Sequence, residues 1–133
     1  MSSASIAKTT RPFLSQIIGF AMTAKPDAAK RFYGETLRFR FVKDDGFALV
    51  FDAHGTMLRI AKAKEVKPAP YTILGWQVDD IAEAVKTLSA RGVVFERYPG
   101  MSQDKHGIWN SGGGYVAWFK DPDGNVLSVS QHN

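Results

Sequence analysis

Residues 116–131, VAWFKDPDGNVLSVSQ, have an echo earlier in the chain, and this internal repeat constrains the fold more than any other feature. Val116 and Trp118, then Val126, Ser128 and Ser130 beyond the turn, alternate with their neighbours at the two-residue period of a strand. Between the two runs lies Asp121-Pro122-Asp123-Gly124-Asn125. Proline fixes φ, aspartate bonds back to its own backbone and glycine accepts positive φ, so this segment is predicted to close a hairpin. Residues 48–58 read ALVFDAHGTML. Ala48, Asp52, Gly55 and Leu58 match Ala117, Asp121, Gly124 and Leu127 at one shift of 69 residues. Four matches on a shared hairpin pattern point to a duplicated unit.

The rest of the chain falls into two such units. Residues 13–23 read as a strand with Ile18, Phe20 and Met22 on one face. Pro26 and Asp27 open a helix, proline at its first position and a carboxylate at the positive end of the dipole. Ala29, Phe32, Tyr33 and Leu37 form its buried stripe. Strands follow at 39–42, 47–51 and 56–61, with a turn at Asp44-Asp45-Gly46. Lysine and proline dominate 62–70, the linker. The second unit has a strand at 72–78 and a helix that Asp80 caps, with Glu83 three residues on. Ile81, Ala84, Val85 and Leu88 make its stripe and Gly92 ends it. Strands at 93–97, 114–120 and 126–130 complete a second β-α-β-β-β.

The reading is therefore an α+β fold, with a tail at 1–12 and one domain at 13–131 whose units span about 13–64 and 70–131. The helices align at a shift near 54 and the hairpins at 69, which makes 99–113, PGMSQDKHGIWNSGG, an insertion of 15 residues. A loop of that length in a compact domain suits a lid, with Trp109 reaching a ligand.

Composition excludes several functions. There is no cysteine, which removes thiolate catalysis, disulfides and zinc–cysteine sites and fits a reducing, cytoplasmic compartment. No apolar run approaches the ~20 residues of a membrane helix, and residues 1–10 lack the apolar centre of a signal peptide. The net charge of +4 is dispersed. Lys62, Lys64 and Lys67 cluster without interleaved aromatics, the pattern of a solvated connector and not of a nucleic-acid platform.

With Phe32-Tyr33 early, Val78-Asp79-Asp80-Ile81 in the middle, and Gly107-Ile108-Trp109 and the DPDGN run late, the chain resembles the vicinal oxygen chelate superfamily. That group includes glyoxalases, bleomycin-resistance proteins and extradiol dioxygenases. The resemblance implies curved mixed half-sheets around a cup, a homodimer, and a divalent metal held by His, Gln or Glu from the first and last strand of each unit. Here the last-strand positions are Ser128 and its repeat mate Arg59. The first-strand positions fall within 17–20 and 73–75, where no side chain can ligate; Gln16 and Thr72 are the nearest donors. A cation at Arg59 would also repel a divalent ion. No metal site and no other cofactor is expected.

Other candidates remain. The planar fork of Arg59 suits a carboxylate or phosphate, unless it is spent on an internal acid such as Glu96 or Asp104. Ser128, Gln77 and Trp109 are further ligand contacts. Trp76 and Trp118 alternate into the sheet as core, with Trp76 kept among the contacts as well. His54 and His132 read as solvent-facing, in a turn and at a frayed terminus. His106, beside Asp104, is a candidate general base. The expected function is reception of a small anionic or neutral organic molecule in a metal-free cup. The alternatives are a metal-dependent lyase or dioxygenase, a metal-independent enzyme using Asp104, His106 or Glu96, and an interaction module whose cup its own side chains fill.

Overall fold

Leu49, Phe51, Leu58 and Ile60 alternate along two paired strands, and all four are buried on the same face. That face anchors the first unit. In the computed structural model, which describes residues 12–133, it comprises β1 (Ile18–Thr23), α1 (Pro26–Arg31) running into a π-helical turn (Phe32–Thr36), β2 (Arg40–Asp44), β3 (Ala48–Ala53) and β4 (Thr56–Lys62). The second unit comprises β5 (Thr72–Gln77), α2 (Ile81–Ala90), β6 (Trp109–Asn110), β7 (Gly114–Lys120) and β8 (Val126–His132). Apart from Pro12, the tail expected at 1–12 lies outside the described residues.

The sheet orders are β1-β4-β3-β2 and β5-β8-β7-β6, with the first and last strand of each unit parallel and the other pairs antiparallel. A parallel pair needs a crossover, which each helix supplies. The helices cover one face of the sheets: Ala29 and Tyr33, then Ile81, Val85 and Leu88, join Phe51, Phe119, Leu127 and Val129 in the core. Burial of each large apolar side chain contributes about 1.5–3 kcal/mol. The opposite face of both sheets is the cup. At the seam between β1 and β5, a Cβ on Gly19 would sit 3.2 Å from Leu58 and 3.3 Å from Leu74, so glycine allows the close approach.

The strand registers show the duplication, with shifts that change along the chain. The N-caps are Lys25 and Asp80, 55 residues apart. The Tyr33 carbonyl accepts from Phe39 N–H, and that of Leu88 from Val93 N–H, so Tyr33 and Leu88 are mates at 55 and Phe39 and Val93 at 54. The π-helical turn absorbs the one-residue difference. Beyond it Arg38, with φ 62°, takes the left-handed position that Gly92, φ 94°, takes in the second unit. In the hairpins Phe51 pairs with Leu58 and Phe119 with Leu127, a shift of 68 on one strand and 69 on the other. The true mates of Ala117 and Asp121 are thus Leu49 and Ala53, a correction by one residue to the single shift of 69. The extra residue lies in the turn: two residues, His54-Gly55, both at positive φ, lie between Ala53 and Thr56, and three, 122–124, lie between their mates Asp121 and Asn125.

Three expected strands change. The first starts at Ile18, not at 13. Residues 93–97 are not a strand. Glu96 N–H bonds the Trp118 carbonyl at 2.8 Å, but the Gln103 side chain takes the Glu96 carbonyl and the Tyr98 N–H, so β6 forms the sheet edge instead. At the other end, β8 runs on to His132, which pairs with Gly114 where a frayed terminus was expected.

Candidate ligand cup

Alternation assigns the cup face once the core face is known. On β4, Leu58 and Ile60 are core, so Met57 and Arg59 face the cup; Phe20 lies beside Arg59 in register, and Ile18 and Met22 share its side. On β7, Ala117 and Phe119 are core, so Val116 and Trp118 face the cup, opposite Ser130 and Ser128 of β8. Gly75 and Gln77 flank Ser128 and Ser130 on β5.

The wall from the first unit is apolar and accessible. Ile18 is 42% exposed, Phe20 59%, Met22 47% and Met57 42%, well above the exposure of a core side chain. Arg59, at its centre, is neutralised. An Arg59 guanidinium nitrogen lies 2.6 Å from an Asp45 carboxylate oxygen, both groups a quarter exposed. Asp45 also accepts from the backbone of Phe47 and Ala48. The Arg59 hydrogen bond, then these backbone bonds, hold the Asp45 carboxyl down at about 2. The internal acid is therefore Asp45, on the β2–β3 turn, and neither Glu96 nor Asp104.

The wall from the second unit is aromatic. Trp109 and Trp118 have ring centroids 6.0 Å apart, and Tyr98 meets Trp118 edge-on at 5.5 Å; all three are half-buried. Trp109 stands opposite Val116 in the edge strand β6, so it belongs to the wall and not to a lid. Ser128 is buried against Gly75, where a Cβ would come within 2.9 Å of its Oγ.

Other candidates fall elsewhere. Trp76 is corrected: it faces the helices, 5.3 Å from Phe39, and cannot contact the cup. The Asp104 carboxylate accepts from His106 and Ile108 N–H and so shapes its own loop. Glu96 lies 3.5 Å from Lys120. His106 is exposed. Tyr98, Trp118 and Asp45 were missed as site residues. Trp118 shares the parity of Val116 and opposes Ser128, which was visible in the strand pattern; nothing local marked Tyr98 or Asp45.

The four family ligand positions hold Phe20, Arg59, Gly75 and Ser128, which offer one hydroxyl and one cation. Gln16 is exposed outside β1 and Thr72 is at the far end of β5. No three His, Cys, Asp or Glu side chains gather into a metal site among the described residues. This donor set does not fit a divalent ion. No helix among the described residues is long and apolar enough to cross a membrane.

Comparison with known proteins agrees with this architecture. The family model described as Glyoxalase/Bleomycin resistance protein/Dioxygenase superfamily matches residues 14–129. No curated protein matches the sequence. Among solved structures, lactoylglutathione lyase from Agrobacterium tumefaciens is 20% identical with a TM-score of 0.61, over 88% of this chain and 93% of that one. A glyoxalase/bleomycin resistance protein/dioxygenase from Alicyclobacillus acidocaldarius is 20% identical with a TM-score of 0.62, over 88% and 90%. An integron cassette protein from the Halifax Harbour sewage outfall metagenome is 18% identical with a TM-score of 0.66, over 87% and 97%. At these identities the likeness carries the fold alone.

Proposed function

The chain belongs to the glyoxalase/bleomycin resistance protein/dioxygenase superfamily, and from that premise we propose that it binds a small neutral, largely aromatic organic molecule in the cup without a metal. The observation that carries this reading is an aromatic cluster, Tyr98, Trp118 and Trp109, on the cup face of one half-sheet, with exposed apolar side chains, Phe20, Met22 and Met57, on that of the other. Stacking and edge contacts on such rings reward a flat ligand by about 0.5–1.5 kcal/mol each beyond area burial. Ser128 and Gln77 supply polar contacts at the floor and rim. An anionic ligand is disfavoured, because Asp45 already neutralises the Arg59 charge. The protein acts as a receptor and not a catalyst in this reading, since Asp104 and Glu96 are committed to other groups.

A homodimer is part of the proposal. Phe13, Leu14 and Ile17, at 100%, 86% and 78% exposure, lead into the apolar wall of β1 and favour cover by a second copy. A cytoplasmic location is supported by a chain without cysteine.

The test is isothermal titration against matched planar neutral and carboxylate ligands, repeated with Trp118→Ala. Preference for neutral aromatics, lost in the variant, supports the reading. Equal affinity for non-aromatic ligands, or an unaffected Trp118→Ala, overturns it.

A further inference from the structure

The duplication relates two turns, and they treat the opposite unit differently. The 121–125 turn grips the first unit. Tyr33 Oη donates to Asp121 at 2.7 Å, Asn125 Nδ2 donates to the Met22 carbonyl at 2.9 Å, and Asp123 accepts from Ala24 N–H at 2.8 Å and from the Thr23 hydroxyl. The Tyr33 ring is fully buried there.

Its counterpart is the His54-Gly55 turn against the end of β5 and α2. The mate of Tyr33 is Leu88, of Thr23 is Val78, and of Asp121 is Ala53. Each is smaller or has lost the polar group, so no phenol ring fills this end of the interface. What stands there is a cavity of about 230 Å³, lined by Phe39, Trp76, Val78, Leu88, Phe119 and Val129, with His54 and Gln77 also lining it. It lies on the helix side of the sheet, across β5 and β8 from the cup, because Trp76 and Val129 are core-facing. Apolar cavities of about 150 Å³ suffice to take up a single benzene ring.

We propose that this cavity is a second binding site, for a small single-ring phenol whose ring takes the place that Tyr33 takes in the first unit and whose hydroxyl meets His54. The walls suit the ring. Phe39 and Trp76 stand 5.3 Å apart, and Phe39 meets His54 edge-on at 5.8 Å, so aromatic faces and edges already line the path of entry. The imidazole of His54 is exposed at the turn and is able to donate to or accept from a hydroxyl. The turn holds it at φ 53°, so the ring is carried by a fixed hairpin.

The test is titration of the ¹⁵N-labelled protein with phenol and with toluene, followed by amide shifts. The expected result is saturable shifts at Leu37, Phe39, Val78 and Leu88, with phenol binding about three- to tenfold tighter than toluene through one hydrogen bond. Leu88→Tyr installs the first unit's ring from within and is expected to abolish both sets of shifts while leaving a cup ligand bound. His54→Gly, which suits the positive φ, is expected to remove the preference for phenol and leave toluene binding in place. The proposal is overturned if shifts appear only at Trp109, Trp118 and Ser128, if no shifts saturate, or if His54→Gly leaves the phenol preference intact. Should Leu88→Tyr fail to fold, the His54→Gly comparison decides the matter by itself.

Discussion

Asp45 and Tyr33 are the two side chains whose ionisation the fold bends furthest, in opposite senses and for different reasons. Hydrogen bonds hold Asp45 charged, and burial holds Tyr33 neutral. Asp45 is kept charged by Arg59 and two backbone N–H groups, at about 2 against an ordinary 3.8. Its stabilising effect is therefore complete above pH 4 and is lost as pH falls towards 2. Arg59→Met keeps much of the stem packing and removes the partner. The expected outcome is that wild type exceeds Arg59→Met in midpoint temperature near neutrality and that the gap narrows on acidification; a constant gap would show that Asp45 is not the linked group. Tyr33 is pushed up from its ordinary 10.0, first by burial and then by the Asp121 charge. It contributes fully below pH 10 and loses that contribution as pH rises beyond it. Tyr33→Phe leaves Asp121 short of one donor in a buried site and is expected to cost about 1–3 kcal/mol in chemical denaturation at pH 7. The same variant should lose less stability than wild type above pH 10. Neither Asp45 nor the Tyr33–Asp121 bond was legible in the sequence, because each joins positions that only the folded sheet brings together.

At the scale of elements, the hairpins were legible because alternation and the DPDGN chemistry act within a few residues. The ends of helices and the sheet edge were not. The first helix overruns its mate by one residue in a π-helical turn, which leaves no local mark because its side chains still form one apolar stripe. The segment 93–97 has strand-like residues, yet Gln103 satisfies its backbone and β6 takes the edge. The duplication supplies a direct experiment on the turn. Arg38 sits at φ 62° where its mate is glycine. Arg38→Gly relieves left-handed strain that costs an L-residue about 1–2 kcal/mol, offset in part by the greater unfolded-state freedom of glycine. A net gain of about 0.5–1 kcal/mol is expected, while Gly92→Ala should lose about 1 kcal/mol or more. Urea midpoints of the two variants moving in the same direction would break the equivalence of Arg38 and Gly92. The cup was legible in outline from the repeat and the family resemblance. Its aromatic lining was not, since Tyr98 reaches Trp118 only after the 99–113 insertion has folded back through Gln103.

The whole molecule is two copies of one unit that are tied unequally. Three side chains of the 121–125 turn, Asp121, Asp123 and Asn125, bond to Tyr33, Thr23, Ala24 and Met22 of the first unit. At the counterpart, Ala53 and Leu88 carry no group able to form the corresponding bond, and a cavity adjoins Leu88 and His54. The core is continuous across the seam, as Phe32 near Phe119 and Phe39 near Trp76 make plain, so the units share burial on both sides, while among the described residues one hairpin turn and not its counterpart is tied by side-chain hydrogen bonds, apart from the Arg91 bond to the Thr36 carbonyl between the helix ends. Local opening should follow that asymmetry, because regions with fewer internal bonds open at lower free energy. Native-state hydrogen exchange is expected to show the end of β5 and the start of α2 exchanging sooner than the end of β1 and α1. Asp123→Ala removes the Thr23 and Ala24 contacts without touching the buried Asp121 network. It should raise exchange at the end of β1 and in α1 towards the rate of the other side and leave α2 unchanged. A divalent metal offers the control at the same scale: a native-state site at a hundredfold above its dissociation constant would add about 2.7 kcal/mol, and with Phe20, Arg59, Gly75 and Ser128 at the ligand positions no such gain is expected with zinc, nickel or manganese. If Asp123→Ala instead raises exchange evenly over both units, the seam opens as one cooperative surface, and the polar ties of the 121–125 turn do not set where the molecule yields first.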